Sequence, residues 1–358
     1  MTARARAQVR YDGLCWPKPG QELLLRALAD PDPVAARGAY RAWREGTDLE
    51  SLDAGSQSLM PLLLVRLKEL GVDDEFLPRA KGAYRHHFCR GQLQTRAAMP
   101  GVDALLSKGI PLVALKGWAL LPFYDDDVAQ RPMSDVDLLV PRARALEAVD
   151  LLLAGGWQLP PWQPRADFER SMRKVHGAGL RKGHAEIDVH WASLLEDNAE
   201  HADDELWARA ERRSLLGREL LVPDATSLLF HGCVHGSRWS PRSSIVWVPD
   251  ALRVLARANI DWPRLVRHAR DRYLQLPLRE TLRFLKERLG APVPDEVLDA
   301  LVPPEPAWVF WFDHHATSAD PRRSTSAHRA ASVIMTKLRR GEPVAGIALD
   351  PVKSYVTS

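Results

Sequence analysis

The sequence predicts an α+β fold: a small mixed β-sheet core flanked by N-terminal helices and followed by a C-terminal helical domain. Three observations predict it. Leucines recur at helical spacing through the first quarter of the chain, and four short apolar runs bounded by turn residues crowd into residues 111–191. Capping residues then punctuate the remainder at the intervals of a helix. The expected division is an N-terminal helical segment (1–99), the sheet core (100–195), a C-terminal helical domain (196–340) and a tail (341–358).

Each element has a local reason. Leu23, Leu24, Leu25 and Leu28 open one helix, and Leu59, Leu62, Leu63, Leu64, Leu67 and Leu70 stripe a second that stops at Gly71. A third spans 77–106, weakened at Gly82 and Gly91 and expected to break at Pro100-Gly101, because proline removes a helix N–H. The run 111–115 predicts a buried strand, with Gly117 allowing a tight turn into a helix over 118–124. Asp125-Asp126-Asp127 and Arg131-Pro132 form a loop before a strand at 135–140. Pro141 starts a helix carrying Leu146, Val149, Leu152 and Leu153 and ending at Gly155-Gly156.

Runs at 175–180 and 185–191 flank Arg181-Lys182-Gly183-His184, a hairpin turn. Downstream the pattern is mostly helical. Asp224 caps a helix through His231 and His235, Pro249-Asp250 opens 251–257, and Asp261 caps the next with Pro263 in its first turn. The helix over 278–289 ends at Gly290, and Pro294 begins another.

Composition narrows the functional classes. The 358 residues suffice for two domains or one domain with a helical extension, and 46% hydrophobic against 27% charged residues predicts a well-buried core. Lys and Arg number 49 against 46 Asp and Glu, a net charge of +3 that is too mild to argue for nucleic acid. Cys15, Cys89 and Cys233 are isolated, which argues against a disulfide framework or cysteine zinc site and fits a reducing cytoplasm. No apolar stretch approaches the ~20 residues of a membrane helix. The start carries three arginines within residues 1–10 without the apolar core of a secretory signal.

The chemistry concentrates in three stretches. Asp135 and Asp137 are two apart at the head of an apolar run, so both carboxylates leave one face of a strand. Like charges held that close demand a proton or a cation between them. Asp188, in a neighbouring strand-like run, would complete an oxygen-rich nest suited to Mg²⁺, and two such ions can stabilise the attacking and leaving oxygens at a phosphorus. Asp135, Asp137 and Asp188 are therefore the expected metal ligands and catalytic residues. Asp188 could help deprotonate an acceptor. Glu186 and His190 share the face of Asp188 and are further candidates for substrate contact. Lys116-Gly117 lies where a strand turns into a helix, which suits phosphate, and Arg131 and Ser134 could reach the same phosphates.

Leu115-Lys116-Gly117, residues 131–140 and Ile187-Asp188-Val189-His190-Trp191 together resemble the nucleotidyltransferase superfamily of polymerase-beta-like fold. Within it they resemble a bacterial branch of uncharacterised nucleotidyltransferases. A weaker match continues through the His231–His235 helix, Trp247-Val248-Pro249-Asp250 and Asp261-Trp262, so it covers about residues 20–290. The resemblance implies a Mg²⁺-dependent enzyme using an NTP donor, with Asp135 and Asp137 as metal ligands and Asp188 as the third carboxylate. The wider superfamily has Gly-Ser or Gly-Gly at the first turn, where this chain, like its branch, has Lys116-Gly117.

The expected reaction transfers a nucleoside monophosphate from an NTP to an acceptor hydroxyl or phosphate, with release of pyrophosphate. A small molecule, peptide or protein acceptor is favoured over long nucleic acid, since aromatic and basic residues are not interleaved. One alternative is a non-catalytic nucleotide- or partner-binding module on the same fold. Another is a zinc hydrolase using His190, His231 and His235. His231 and His235 are four apart on one helix face and could line the cleft, but Gly232-Cys233-Val234 lacks the glutamate of a zinc peptidase. The blander readings are a solvated loop for Asp125-Asp126-Asp127 and diverging side chains for His314-His315. Trp118, Trp191, Trp239 and Trp247 fit core or cleft walls, and Arg238 and Arg242 either meet an anionic substrate or stay solvated.

Overall fold

The computed structural model describes residues 15–161, 163–172, 175–238, 245–304 and 314. The basic start, Trp239, Arg242, His315 and the tail lie outside the described residues.

Among the described residues five helices lead in: α1 (Pro19–Ala29), α2 (Pro33–Glu45), α3 (Ala54–Ser58), α4 (Met60–Glu69) and α5 (Leu77–Ser107). Asp32 and Asp53 cap α2 and α3 by accepting from the Val34 and Ser56 amides. The leucine stripe of α4 buries Leu59, Leu63 and Leu67 completely, and Gly71 ends it in the left-handed conformation with φ +62°. Helix α5 departs from expectation by running unbroken through Pro100 and Gly101. Burial explains it: Ala98, Val102 and Leu105 are fully packed, and a Cβ at Gly101 would lie 2.8 Å from Ile187 Cδ1. The glycine lets the helix press onto the sheet, and that packing outweighs the ~3 kcal/mol cost of an internal proline.

Among the described residues the sheet has six strands: β1 (Val113–Ala114), β2 (Val136–Leu139), β3 (Gly177–Lys182), β4 (Ala185–His190), β5 (Glu211–Leu215) and β6 (Arg218–Val222). Their order is β3-β4-β2-β1-β6-β5. β1 runs antiparallel to β2 and parallel to β6, while β2 and β4 are parallel. The β3–β4 hairpin turns at Gly183 as predicted. The β5–β6 hairpin is a correction to the mostly helical expectation. It turns at Leu216-Gly217, both left-handed, and β6 pairs with β1. Four of the five β5 residues are exposed, so no apolar alternation marks it, and pairing alone makes it a strand.

The remaining helices are α6 (Lys116–Leu120), α7 (Ala145–Ala154), α8 (Phe168–Ser171), α9 (Asp204–Arg209), α10 (Ala225–Gly236), α11 (Trp247–Arg257), α12 (Trp262–Asp271), α13 (Gln275–Leu289) and α14 (Asp295–Ala300). Asp224 and Asp261 cap α10 and α12, and Gly290 ends α13 with φ +69°. α5 and α7 pack against β4 through Ile187, so alternation sends Asp188 to the opposite face. α10 packs on α6, α11, α12 and α13 and so ties the C-terminal helices to the Lys116 turn. Among the described residues no helix is long and apolar enough to cross a membrane.

Candidate active site

β2 is buried along its whole length, yet it carries Asp137, 4% exposed, in its middle. Parallel pairing sets Asp137 directly opposite Asp188 of β4. Donor atoms of Asp137, Asp188 and His190 all lie within 4.8 Å of one another. Asp135, half-buried at the residue before β2, falls outside that set of three. Ser134 is exposed, with its Oγ 3.4 Å from Asp135 Oδ1. One oxygen of Asp137 has two partners: Lys116 Nζ donates to Oδ1 at 2.5 Å, and His190 Nε2 lies 2.9 Å from the same atom.

Lys116 reaches this point from a left-handed backbone conformation, φ +43°, which is uncommon for a side chain of its size. Such a conformation persists where surroundings over-determine it. Next to it, a Cβ at Gly117 would sit 2.3 Å from Met133 Sδ, so the turn packs against the loop leading to Asp135.

The charges act on one another. Burial opposes the Asp137 carboxylate, but the Lys116 ammonium and His190 hold its pKa well below the usual range. Burial and then the Asp137 charge push Asp135 up to about 6. Asp188 is raised well above the ordinary value by burial and by Asp137 and Asp135. Burial disfavours the Lys116 ammonium, yet Asp137, Asp135 and Asp188 together outweigh it and raise its pKa. The trio therefore divides into one firmly ionised carboxylate and two that hold protons more readily.

The other predicted residues fall around this centre. Glu186 lies on the Asp188 face, gripped by the Arg181 guanidinium at 3.0 and 3.2 Å. Arg131 is engaged elsewhere: its Nε lies 2.8 and 3.0 Å from the two oxygens of Asp250 on α11, and Tyr124 also donates to Asp250. His231 and His235 stack at 5.8 Å, with His231 Nε2 3.0 Å from the Ser193 carbonyl. Burial, then the Lys116 and Arg238 charges, push His231 down to about 3 and His235 well below its ordinary value, so both are neutral. Neither belongs to the metal-competent set found among the described residues. Arg238 forms an ion pair with Glu196. Trp191 donates to the Val175 and Met172 carbonyls where the chain leaves β4.

Three residues went unnoticed in the sequence. His176 stands with its ring 5.0 Å from that of His190 and is likewise held neutral, chiefly by burial. Gly177 and Gly179 of β3 pair with His190 and Asp188, and a Cβ would lie 2.8 Å from His190 Nδ1 or from Asp188 Oδ1. The period-two glycines opposite Asp188 and His190 were the available signal, legible once the hairpin register is drawn.

The donor set fits a divalent cation. Two carboxylates and an imidazole converge, and among the described residues neither oxygen of Asp188 accepts a hydrogen bond. Half-buried carboxylates without donors call for a counter-charge. The mixed sheet brings aspartates of two parallel neighbours to one point, beside a lysine-bearing strand-to-helix turn, in a chain whose family is one of nucleotidyltransferases, transferases of phosphorus-containing groups. The chain belongs to the family described as uncharacterised nucleotidyltransferase, whose model matches residues 54–290. No curated protein matches it in sequence. Membership of that family implies an NTP as substrate.

Proposed function

We propose that the protein transfers a nucleoside monophosphate from an NTP to an acceptor hydroxyl or phosphate. The acceptor oxygen bonds to the α-phosphorus, the α–β bridging bond breaks, and pyrophosphate leaves with the electron pair. A divalent cation, Mg²⁺ being the expected one, would be held by Asp137 and Asp188 with Asp135 beside them, and it would neutralise charge on the phosphates. Asp137, kept ionised by Lys116 and His190, anchors that site. Asp188, its own proton displaced when the cation binds, takes the acceptor proton. Lys116 supplies positive charge to the triphosphate, with Gly117, Ser134 and Arg131 at its border. Glu186, His190, His231 and His235 line the acceptor side.

The single observation that carries this reading is the register setting Asp137 against Asp188 with Lys116 at the same carboxylate. In this reading residues 100–195 form the catalytic core, with helical segments at 1–99 and 196–340. The free cysteines Cys15, Cys89 and Cys233 suit a cytoplasmic location. A small-molecule, peptide or protein acceptor is favoured by the mild net charge.

Calorimetric titration of NTPs with Mg²⁺ tests the site. Wild type is expected to bind with cation dependence and the Asp135→Ala plus Asp137→Ala variant not to; equal binding by both removes the assignment. Pyrophosphate release with candidate acceptors separates catalysis from a non-catalytic nucleotide-binding module.

A further inference from the structure

We infer that this site takes a transition-metal dication through a mixed donor set, the carboxylates of Asp137 and Asp188 and the imidazole Nε2 of His190, in preference to Mg²⁺. The inference rests on the cation-dependent reading above and adds its selectivity. Mg²⁺ is a hard ion that takes oxygen ligands, whereas imidazole suits transition metals. The sequence, with its aspartates in view, points to an all-oxygen nest; the tertiary arrangement puts a nitrogen where the third aspartate was expected.

His190 is built into the site rather than leaning against it. Period-two alternation along β4 puts it on the face of Asp188, and it is 3% exposed. Gly177 lies across the strand pair from it, and the ring fills the space a Cβ would occupy, 2.8 Å from Nδ1. That contact fixes the ring so that Nε2 points at Asp137 Oδ1, 2.9 Å away. Among the described residues Nδ1 is buried without a hydrogen-bond partner, so a cation takes the Nε2 lone pair in exchange for the Asp137 hydrogen bond, with the ring proton moved to Nδ1. Asp137 meets Lys116 and His190 through Oδ1 alone, and among the described residues its Oδ2 accepts no hydrogen bond. Two carboxylates and one imidazole nitrogen thus converge within a span of 4.8 Å.

The test uses Mn²⁺ as the probe, added alone to the full chain and read by electron spin echo modulation. Bound Mn²⁺ is expected to show ¹⁴N modulation that disappears when the protein is grown with ¹⁵N-labelled histidine, a comparison that needs no variant. Mg²⁺ should displace it only at an excess of roughly tenfold or more. In His190→Asn the ¹⁴N signal should vanish and the two ions should compete on nearly equal terms. Bound Mn²⁺ without histidine nitrogen coupling, or displaced by equimolar Mg²⁺, overturns the inference and leaves cation-dependent nucleotide transfer standing. If neither ion binds, alone or with an NTP, both ideas fall.

Discussion

Asp137 is the residue on which the site's electrostatics turn, because the ammonium of Lys116 and the ring of His190 meet on a single one of its oxygens. Neutralising it while keeping its shape leaves Lys116 and His190 facing an amide. Removing one preorganised charge-stabilising group costs about 10²–10³ in turnover. Asp137→Asn is expected to lose at least that much pyrophosphate release, with a circular dichroism spectrum like wild type. Asp135 behaves differently, since burial and Asp137 raise it to about 6. Between the ordinary carboxylate value and about 6 the folded, cation-free protein holds a proton that the unfolded chain has released. The contribution of Asp135 to stability therefore falls as pH rises through that window, opposite in sign to that of the buried neutral His176, His231 and His235. The difference between wild type and Asp135→Asn isolates it. Cation affinity should move the opposite way and strengthen from about pH 5 to 7 as that proton leaves. Asp135→Asn should change the slope of both profiles relative to wild type, in denaturant melts and cation titrations, with Asp188 keeping its own share, and an unchanged slope would assign the proton elsewhere.

Elements position these residues through close approach. β3 contributes little chemistry of its own, but Gly177 and Gly179 leave room for His190 and Asp188 across the hairpin. A methyl at Gly179 would meet two flexible side-chain ends, Asp188 Oδ1 at 2.8 Å and Glu186 Oε1 at 3.0 Å, rather than backbone. Gly179→Ala is thus expected to melt within about 1 kcal/mol of wild type. Its turnover should nevertheless drop ~10-fold or more, because small misplacements at a reacting centre are expensive. Loss of stability in proportion to activity would mean that the glycine serves the hairpin and not the site. Helix α5 uses the same device at Gly101, where the absent side chain brings the helix onto Ile187 and so backs the strand bearing Asp188.

Over the whole molecule, a buried ion pair joins the loop before β2 to the C-terminal helices. Asp250 of α11 accepts from Arg131 and from Tyr124, while Arg253 lies over the Tyr124 ring at 4.5 Å. Asp250→Ala strands the Arg131 guanidinium, and breaking a buried pair from one side costs about 3–5 kcal/mol. Urea melts should show that loss, with Arg131→Met plus Asp250→Leu recovering part of it; a loss under 1 kcal/mol would mean water reaches the pair. This contact also separates what was legible from what was not. Asp135-Val136-Asp137, Asp188 and His190 announce themselves through period two, and the leucine stripe, Asp224 and Gly290 mark helix edges, because those signals lie within a few residues of one another. Arg131 as a phosphate candidate was equally readable, yet its partner is 119 residues away, a separation no local pattern encodes. The β5–β6 hairpin, exposed along one strand, exists through its pairing with β1. Local pattern suffices for the class of fold and for the face on which the carboxylates stand, since backbone periodicity is set within a few residues. That His190 joins Asp137 and Asp188 while Asp135 stands outside the trio follows from long-range packing, because strand register and a glycine on the neighbouring strand set those distances.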